Sequence, residues 1–139
     1  MPHATELDLS WNDMRTGAGL EAIGFAISTG ALHSLQRLNL VNCTAIKTLP
    51  ESIGELLELQ SIYLDGCVQL AKLPKSMSKL ASLKVLHIVN CHILMDEELA
   101  HLPSSCQVML SGRLVPVCVL RVTYNSLKRT YNCAGRPCR

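Results

Sequence analysis

The chain has 139 residues, 48% of them hydrophobic but only 4% aromatic, and leucine is the most frequent residue, a composition that fits one small domain with an aliphatic core. With 17% charged residues and a mean hydropathy of +0.23, it is too apolar for a disordered chain, yet no apolar run approaches the ~18 residues that a membrane span needs. The net charge of +2 conceals an asymmetry: positions 113–139 carry Arg113, Arg121, Lys128, Arg129, Arg136 and Arg139 with no acid, so positions 1–112 form a mildly acidic body.

Near the N-terminus Leu7 and Leu9 alternate with Glu6, Asp8 and Ser10, the pattern of a short strand with one apolar face. After Gly17, residues Leu20, Ile23 and Ile27 follow at helical spacing. A repeat then takes over. Leu35, Leu38, Leu40 and Cys43 match Leu59, Ile62, Leu64 and Cys67, and these match Leu83, Leu86, Ile88 and Cys91, with the same 24-residue step both times. In the second half of the unit Ile46, Leu49, Pro50, Ile53 and Leu56 align with Leu70, Leu73, Pro74, Met77 and Leu80. The alternating pair before each cysteine reads as a strand. The wider spacing after it reads as a turn and a loose helical return, where a proline lacking its N–H does no harm. One such unit cannot bury its leucines alone, whereas stacked units bury them against one another.

The flanks follow the repeat less closely. Leu7, Leu9 and Asn12 correspond to Leu38, Leu40 and Cys43 with a longer, 31-residue step. Beyond Leu94, Glu97 stands at the next leucine position, and Leu102-Pro103 comes late. Cys106–Leu110 supplies a further strand of the 24-residue type, but its ladder position is Arg113, which cannot enter a repeat core, so regular stacking is expected to end there. Leu114–Tyr124 has strand-like composition interrupted by Pro116 and suits an edge strand or a cover over the open end. The remainder, through Cys133 to Cys138, reads as loop or disorder.

These residues resemble the leucine-rich repeat family, whose pattern is LxxLxLxx[N/C]xL. Repeats carrying LP-x-S-I-x-x-L, as in Leu49–Leu56, resemble those of plant intracellular immune receptors and related plant proteins. The stretch Gly17–Ile27 resembles the convex helix of the longer, ribonuclease-inhibitor-like repeat. The resemblance implies an α/β solenoid: a short curved arc with a parallel β-sheet on its concave side and short helical or irregular convex segments. Positions 1–112 would form four to five units, clearest over 35–94, and positions 113–139 a basic C-terminal tail or cap. Leu102-Pro-Ser-Ser-Cys-Gln-Val-Met-Leu-Ser-Gly112 also resembles, weakly, the last repeat of bacterial type III effectors that join such repeats to a ubiquitin-ligase domain.

Several motifs invite chemistry and are better explained by the repeat. Cys43, Cys67 and Cys91 fall in one column with ~4.8 Å between stacked strands, which does not converge as a tetrahedral zinc site must. Gly17-Ala-Gly19-Leu-Glu-Ala22 matches the dinucleotide fingerprint, but the position about 20 residues on holds Leu40 and Val41 rather than the acid that binds ribose. His87 and Cys91 lie on opposite sides of a strand-turn unit, which removes them as a catalytic pair. Asn42-Cys43-Thr44 is a formal glycosylation sequon. The seven cysteines form no Cys-x-x-Cys pair, and the start, Met1-Pro2-His3-Ala4, has neither a basic nor an apolar leader segment. Reduced thiols, an unmodified Asn42 and a cytoplasmic location are therefore expected.

The strand residues between the core leucines point onto the concave face in three columns: Glu6, Arg37, Ser61, Val85; Asp8, Asn39, Tyr63, His87; and Ser10, Val41, Asp65, Val89. The face is mixed, with one aromatic residue and no single-sign field, which suits a protein partner better than a polyanion. The family resemblance implies protein recognition there, often in plant or microbial defence. The expectation is a non-catalytic interaction module that binds another protein through Arg37, Asn39, Ser61, Tyr63, Asp65 and His87. No catalytic or metal site, cofactor, small-molecule substrate, nucleic acid or membrane partner is expected. The alternative is the substrate-recognition part of a bacterial-type ubiquitin-ligase effector without its catalytic domain.

Overall fold

The computed structural model describes residues 4–12, 14, 15, 17–94, 96–99, 101–110 and 113–117. The alternating residues form the strands β1 (Glu6–Asp8), β2 (Arg37–Asn39), β3 (Ser61–Tyr63) and β4 (Val85–His87), followed by β5 (Gln107–Leu110) and β6 (Arg113–Pro116). They make one sheet in chain order, β1-β2-β3-β4-β5-β6. The first five strands are parallel, and Leu7, Leu38, Ile62, Leu86 and Val108 share one row across them. The same main-chain bond recurs from unit to unit: Leu9 N–H to Asn39 O, Leu40 to Tyr63, Leu64 to His87 and Ile88 to Met109, at 2.8–3.1 Å.

The connections between strands are set by the length of the step. The long step from Leu7 to Leu38 leaves room for helix α1 (Ala18–Ser28), which buries Ile23 and Ile27. The shorter steps from Leu38 to Ile62 and from Ile62 to Leu86 leave room only for 3-10 turns at Glu51–Glu55 and Lys75–Lys79. Each 3-10 turn follows a proline, Pro50 or Pro74, whose φ of −66° or −60° the ring imposes. The two turns pack closely. Ser76 Oγ donates to Glu51 O at 2.6 Å, and a Cβ at Gly54 would sit 2.6 Å from the Ser76 carbonyl oxygen, so the approach requires glycine.

Every apolar position of the repeat from Leu35 to Ile88 is buried, at 5% exposure or less. At ~25 cal/mol per Å² of apolar area removed from water, this aliphatic stack is the dominant stabilising term. The unit after β4 departs from the rest. Leu86 pairs with Val108, a 22-residue step that agrees with the strand read over Cys106–Leu110 and its ladder position at Arg113. Helix α2 (Asp96–Leu99) shortens the return, and Leu99, Leu102 and Cys106 fill the core there. Glu98 Oε2 accepts the Leu73 N–H at 3.1 Å, so the acidic stretch that interrupts the leucine pattern supplies an acceptor to the unit before it.

The sheet is not parallel throughout, as the family resemblance implied. The parallel series ends at β5, and β6 turns back antiparallel, pairing Leu110 with Arg113 and Gln107 with Pro116. Pro116 is tolerated because β6 is an edge strand. Val117 donates its N–H to Cys106 O and is fully buried at the end of the core. The basic segment thus begins as part of the sheet. The rest of it, including the loop read from Cys133 to Cys138, lies outside the described residues. Among the described residues no helix is long and apolar enough to cross a membrane.

In four successive units the residue just before the ladder position lies in the left-handed region: Trp11 (φ 62°), Asn42 (57°), Gly66 (76°) and Asn90 (63°). Asparagine and glycine tolerate that geometry, whereas tryptophan there is strained. A Cβ at Gly66 would run into the Asn42 side chain, so consecutive turns also constrain each other. Trp11→Asn should therefore raise the free energy of unfolding by ~0.5–1 kcal/mol, since Trp11 is 78% exposed and gives up little packing. Leu64→Ala removes a fully buried side chain from the centre of the stack and should lower stability by ~2–5 kcal/mol. Chemical denaturation of both variants measures these opposite shifts.

Candidate functional site

The sheet face opposite the core carries the residues singled out from the sequence. Register places Glu6, Arg37, Ser61, Val85 and Gln107 in one row, and Asp8, Asn39, Tyr63, His87 and Met109 in the next. Asp65 lies in the turn after β3, two positions beyond Tyr63. All six predicted residues therefore share a face, but they divide into two groups.

The first group centres on Tyr63. Its ring lies beside the His87 imidazole with centroids 4.5 Å apart, tilted by 34°. Asp65 Oδ2 stands 3.8 Å from His87 Nδ1, and the two side chains are 31% and 24% exposed. The other Asp65 oxygen accepts the Val89 N–H at 2.8 Å, which ties the carboxylate to the next unit and holds it beside the imidazole. An aromatic ring, an imidazole and a carboxylate are thus fixed by one strand register and one turn. The arrangement presents flat aromatic area with polar tips at its edge. It is not a hydrolytic centre built on Cys91, because Cys91 Sγ donates to Leu64 O at 3.0 Å on the core side.

The second group lies toward β1. Arg37 donates to Glu6 Oε1 at 3.0 Å, with both side chains more than half exposed, a geometry that contributes little to stability but orients the guanidinium. Asn39 Oδ1 accepts the Val41 N–H at 3.0 Å. Asp8 repeats that turn motif, accepting from Ser10 N–H and Oγ–H at 2.9 and 2.6 Å, and these bonds hold its carboxyl below the usual range. Glu6, Leu7, Asp8, Arg37, Asn39 and Tyr63 line a shallow cavity of about 210 Å³. Glu6 and Asp8, which the sequence puts on this face outside the predicted site set, thus belong to the lining of this cavity. Ser61 lies between Arg37 and Val85 and joins the two groups.

The cysteine column is structural. Cys43, Cys67 and Cys91 donate through sulfur to the carbonyls of Leu9, Leu40 and Leu64 in the preceding unit, at 3.0–3.2 Å. Each thiol thus ties one turn to the strand before it. Burial pushes Cys67 up to about 12, and Cys91 and Cys106 to about 11, and also raises Cys43. Among the described residues no group of three or more His, Cys, Asp or Glu is placed to hold a metal ion. The glycine motif is also used by packing: Gly19 lies beneath the Met14 sulfur, where a Cβ would collide with it.

Comparison with protein-family models and with curated proteins gives no match.

The raised thiol values have a sign. A thiol that ionises near 9.0 when unfolded and near 12 or 11 when folded binds its proton more tightly in the native state. Its contribution is complete below pH 9 and is lost as pH rises toward the folded value. The unfolding midpoint should therefore fall from pH 9 to 11, and Cys67→Ala should flatten that slope. In the same window Cys43, Cys67 and Cys106 should react with a thiol reagent at least ~100-fold more slowly than free cysteine. Rapid labelling of these three in the folded protein would contradict the assignment.

Proposed function

We propose that this chain is a leucine-rich-repeat interaction module, a short curved solenoid whose concave sheet face binds another protein. The observation that carries the reading is the stacking itself. Equally spaced units pair without a slip from Arg37–Ser61 to Tyr63–His87, with their leucines buried throughout. The face this leaves outward consists of side chains whose backbone cannot move independently. Such a face offers a partner preorganised contact, which limits the entropy lost on binding. Its composition also suits a protein. Arg37, Asn39, Ser61, Tyr63, Asp65 and His87 mix charge, amide, hydroxyl and aromatic groups, and no one sign dominates.

Tyr63 is the anchor in this reading, because an aromatic side chain brings large contact area with little rotamer freedom to lose. His87 and Asp65 at its edge supply the polar contacts that fix orientation. The module has no chemistry of its own, and the buried free thiols at Cys43, Cys67 and Cys106 favour a reducing, cytoplasmic setting.

Affinity capture with mass spectrometry identifies the partner, and titration with the purified partner then tests the face. Tyr63→Ala should weaken binding by ~2 kcal/mol or more, about 30-fold in Kd, without changing the thermal midpoint. Deleting 118–139 should leave affinity unchanged; the cut falls there and not at 113 because β6 belongs to the sheet. If Tyr63→Ala binds normally and the deletion abolishes binding, the interaction belongs to the basic segment and the proposal is lost.

A further inference from the structure

The two ends of the sheet differ. At one end β6 covers β5. At the other, β1 is the terminal strand, and its outer edge pairs with no strand among the described residues. Leu9 N–H bonds Asn39 O and Thr5 O accepts the Arg37 N–H, so Thr5, Leu7 and Leu9 face β2. By strand alternation the N–H and C=O groups of Glu6 and Asp8 face away from the sheet. Leu7 tells the same story from the core side. Its row-mates Leu38, Ile62, Leu86 and Val108 are buried to 1% or less, whereas Leu7 is only partly buried. Beside it an apolar groove of about 480 Å³ opens between β1 and α1, lined by Leu7, Leu9, Met14, Ala22, Ala26 and Leu32.

We propose that this edge and groove take up an extended segment of another protein, running parallel to β1 and carrying lysine or arginine on either side of an apolar residue. The charge of the edge selects that occupant. Glu6 and Asp8 flank Leu7 on the outward face and are both exposed. A second copy of the chain is disfavoured. Two-fold pairing of β1 with itself is antiparallel, and centred on Leu7 it sets Glu6 opposite Asp8 twice, a like-charge juxtaposition that destabilises a strand pair. A basic residue at each position meets an acid instead. The fold holds its own example on the other side of β1, where β2 sets Leu38 beside Leu7 and Arg37 on Glu6 at 3.0 Å. An incoming strand repeats that contact, gains main-chain bonds to Glu6 and Asp8, and completes the burial of Leu7. The outer edge and groove lie beyond the Tyr63 cluster, although Glu6, Leu7 and Asp8 also line the cavity that reaches Tyr63, and the proposal does not rest on the function proposed for that cluster.

The test uses the full chain and a capped peptide, Thr-Lys-Val-Arg-Val-Thr, with a counterpart in which glutamate replaces lysine and arginine. Calorimetry at low salt measures affinity, and amide exchange by NMR locates the contact. The basic peptide should bind at least tenfold more tightly than the acidic one, weaken as salt is raised, and slow exchange at the Glu6 and Asp8 amides at least tenfold. In a Glu6→Lys/Asp8→Lys chain, shown by thermal melting to be folded, the preference should reverse. The proposal is overturned if neither peptide binds or both bind alike. Unprotected Glu6 and Asp8 amides, or dimers of the chain through β1 without peptide, would overturn it equally.

Discussion

The structure depends on one constraint: a strand as short as Arg37–Asn39 or Ser61–Tyr63 cannot satisfy its own main chain or bury its own side chains. Leu38 and Leu40 are buried only because Ile62 and Leu64 stand one strand away, and these in turn rely on Leu86 and Ile88. A register slip of one position would send every leucine to the outward face and every polar side chain to the core. The hydrophobic row and the main-chain ladder therefore enforce each other, and each unit is held by its neighbours more than by itself.

That dependence makes the ends decisive. At the C-terminal end of the sheet a charged residue, Arg113, falls where the ladder would continue. The chain reverses direction there, so that β6 covers β5 and Val117 closes the stack. At the β1 end the stack presents Leu7, Leu9 and the small residues of α1. Glu6 and Asp8 sit on that edge as charges do on many unpaired strands, where they hinder indiscriminate pairing. The strain at Trp11 lies in the same first unit, where the turn geometry is retained but the residue suited to it is not.

The outward face inherits its precision from the core behind it. Tyr63 and His87 are neighbours because Ile62 and Leu86 are. Asp65 is aimed at His87 because its other oxygen is occupied by Val89 N–H. The thiol column performs the matching task inside, where each sulfur joins a turn to the strand of the unit before it. Neither set needs a ligand or a metal to explain its placement.

The sequence by itself determined the rows. Equal steps between Leu38, Ile62 and Leu86 admit one stacking register, and alternation within each strand then decides that Arg37, Asn39, Tyr63 and His87 face away from the core. The tertiary structure decided what lies across units or breaks their period. The direction of β6, the short helix α2 in the last return, the Glu98 bond to Leu73 N–H and the division of the outward face into an Arg37–Glu6 group and a Tyr63–His87–Asp65 group were not legible. The reason is physical. Periodicity reports which positions are equivalent, and burial follows from equivalence. Hydrogen bonds and ion pairs depend on side-chain direction within a few tenths of an ångström, and only the packed neighbours fix that.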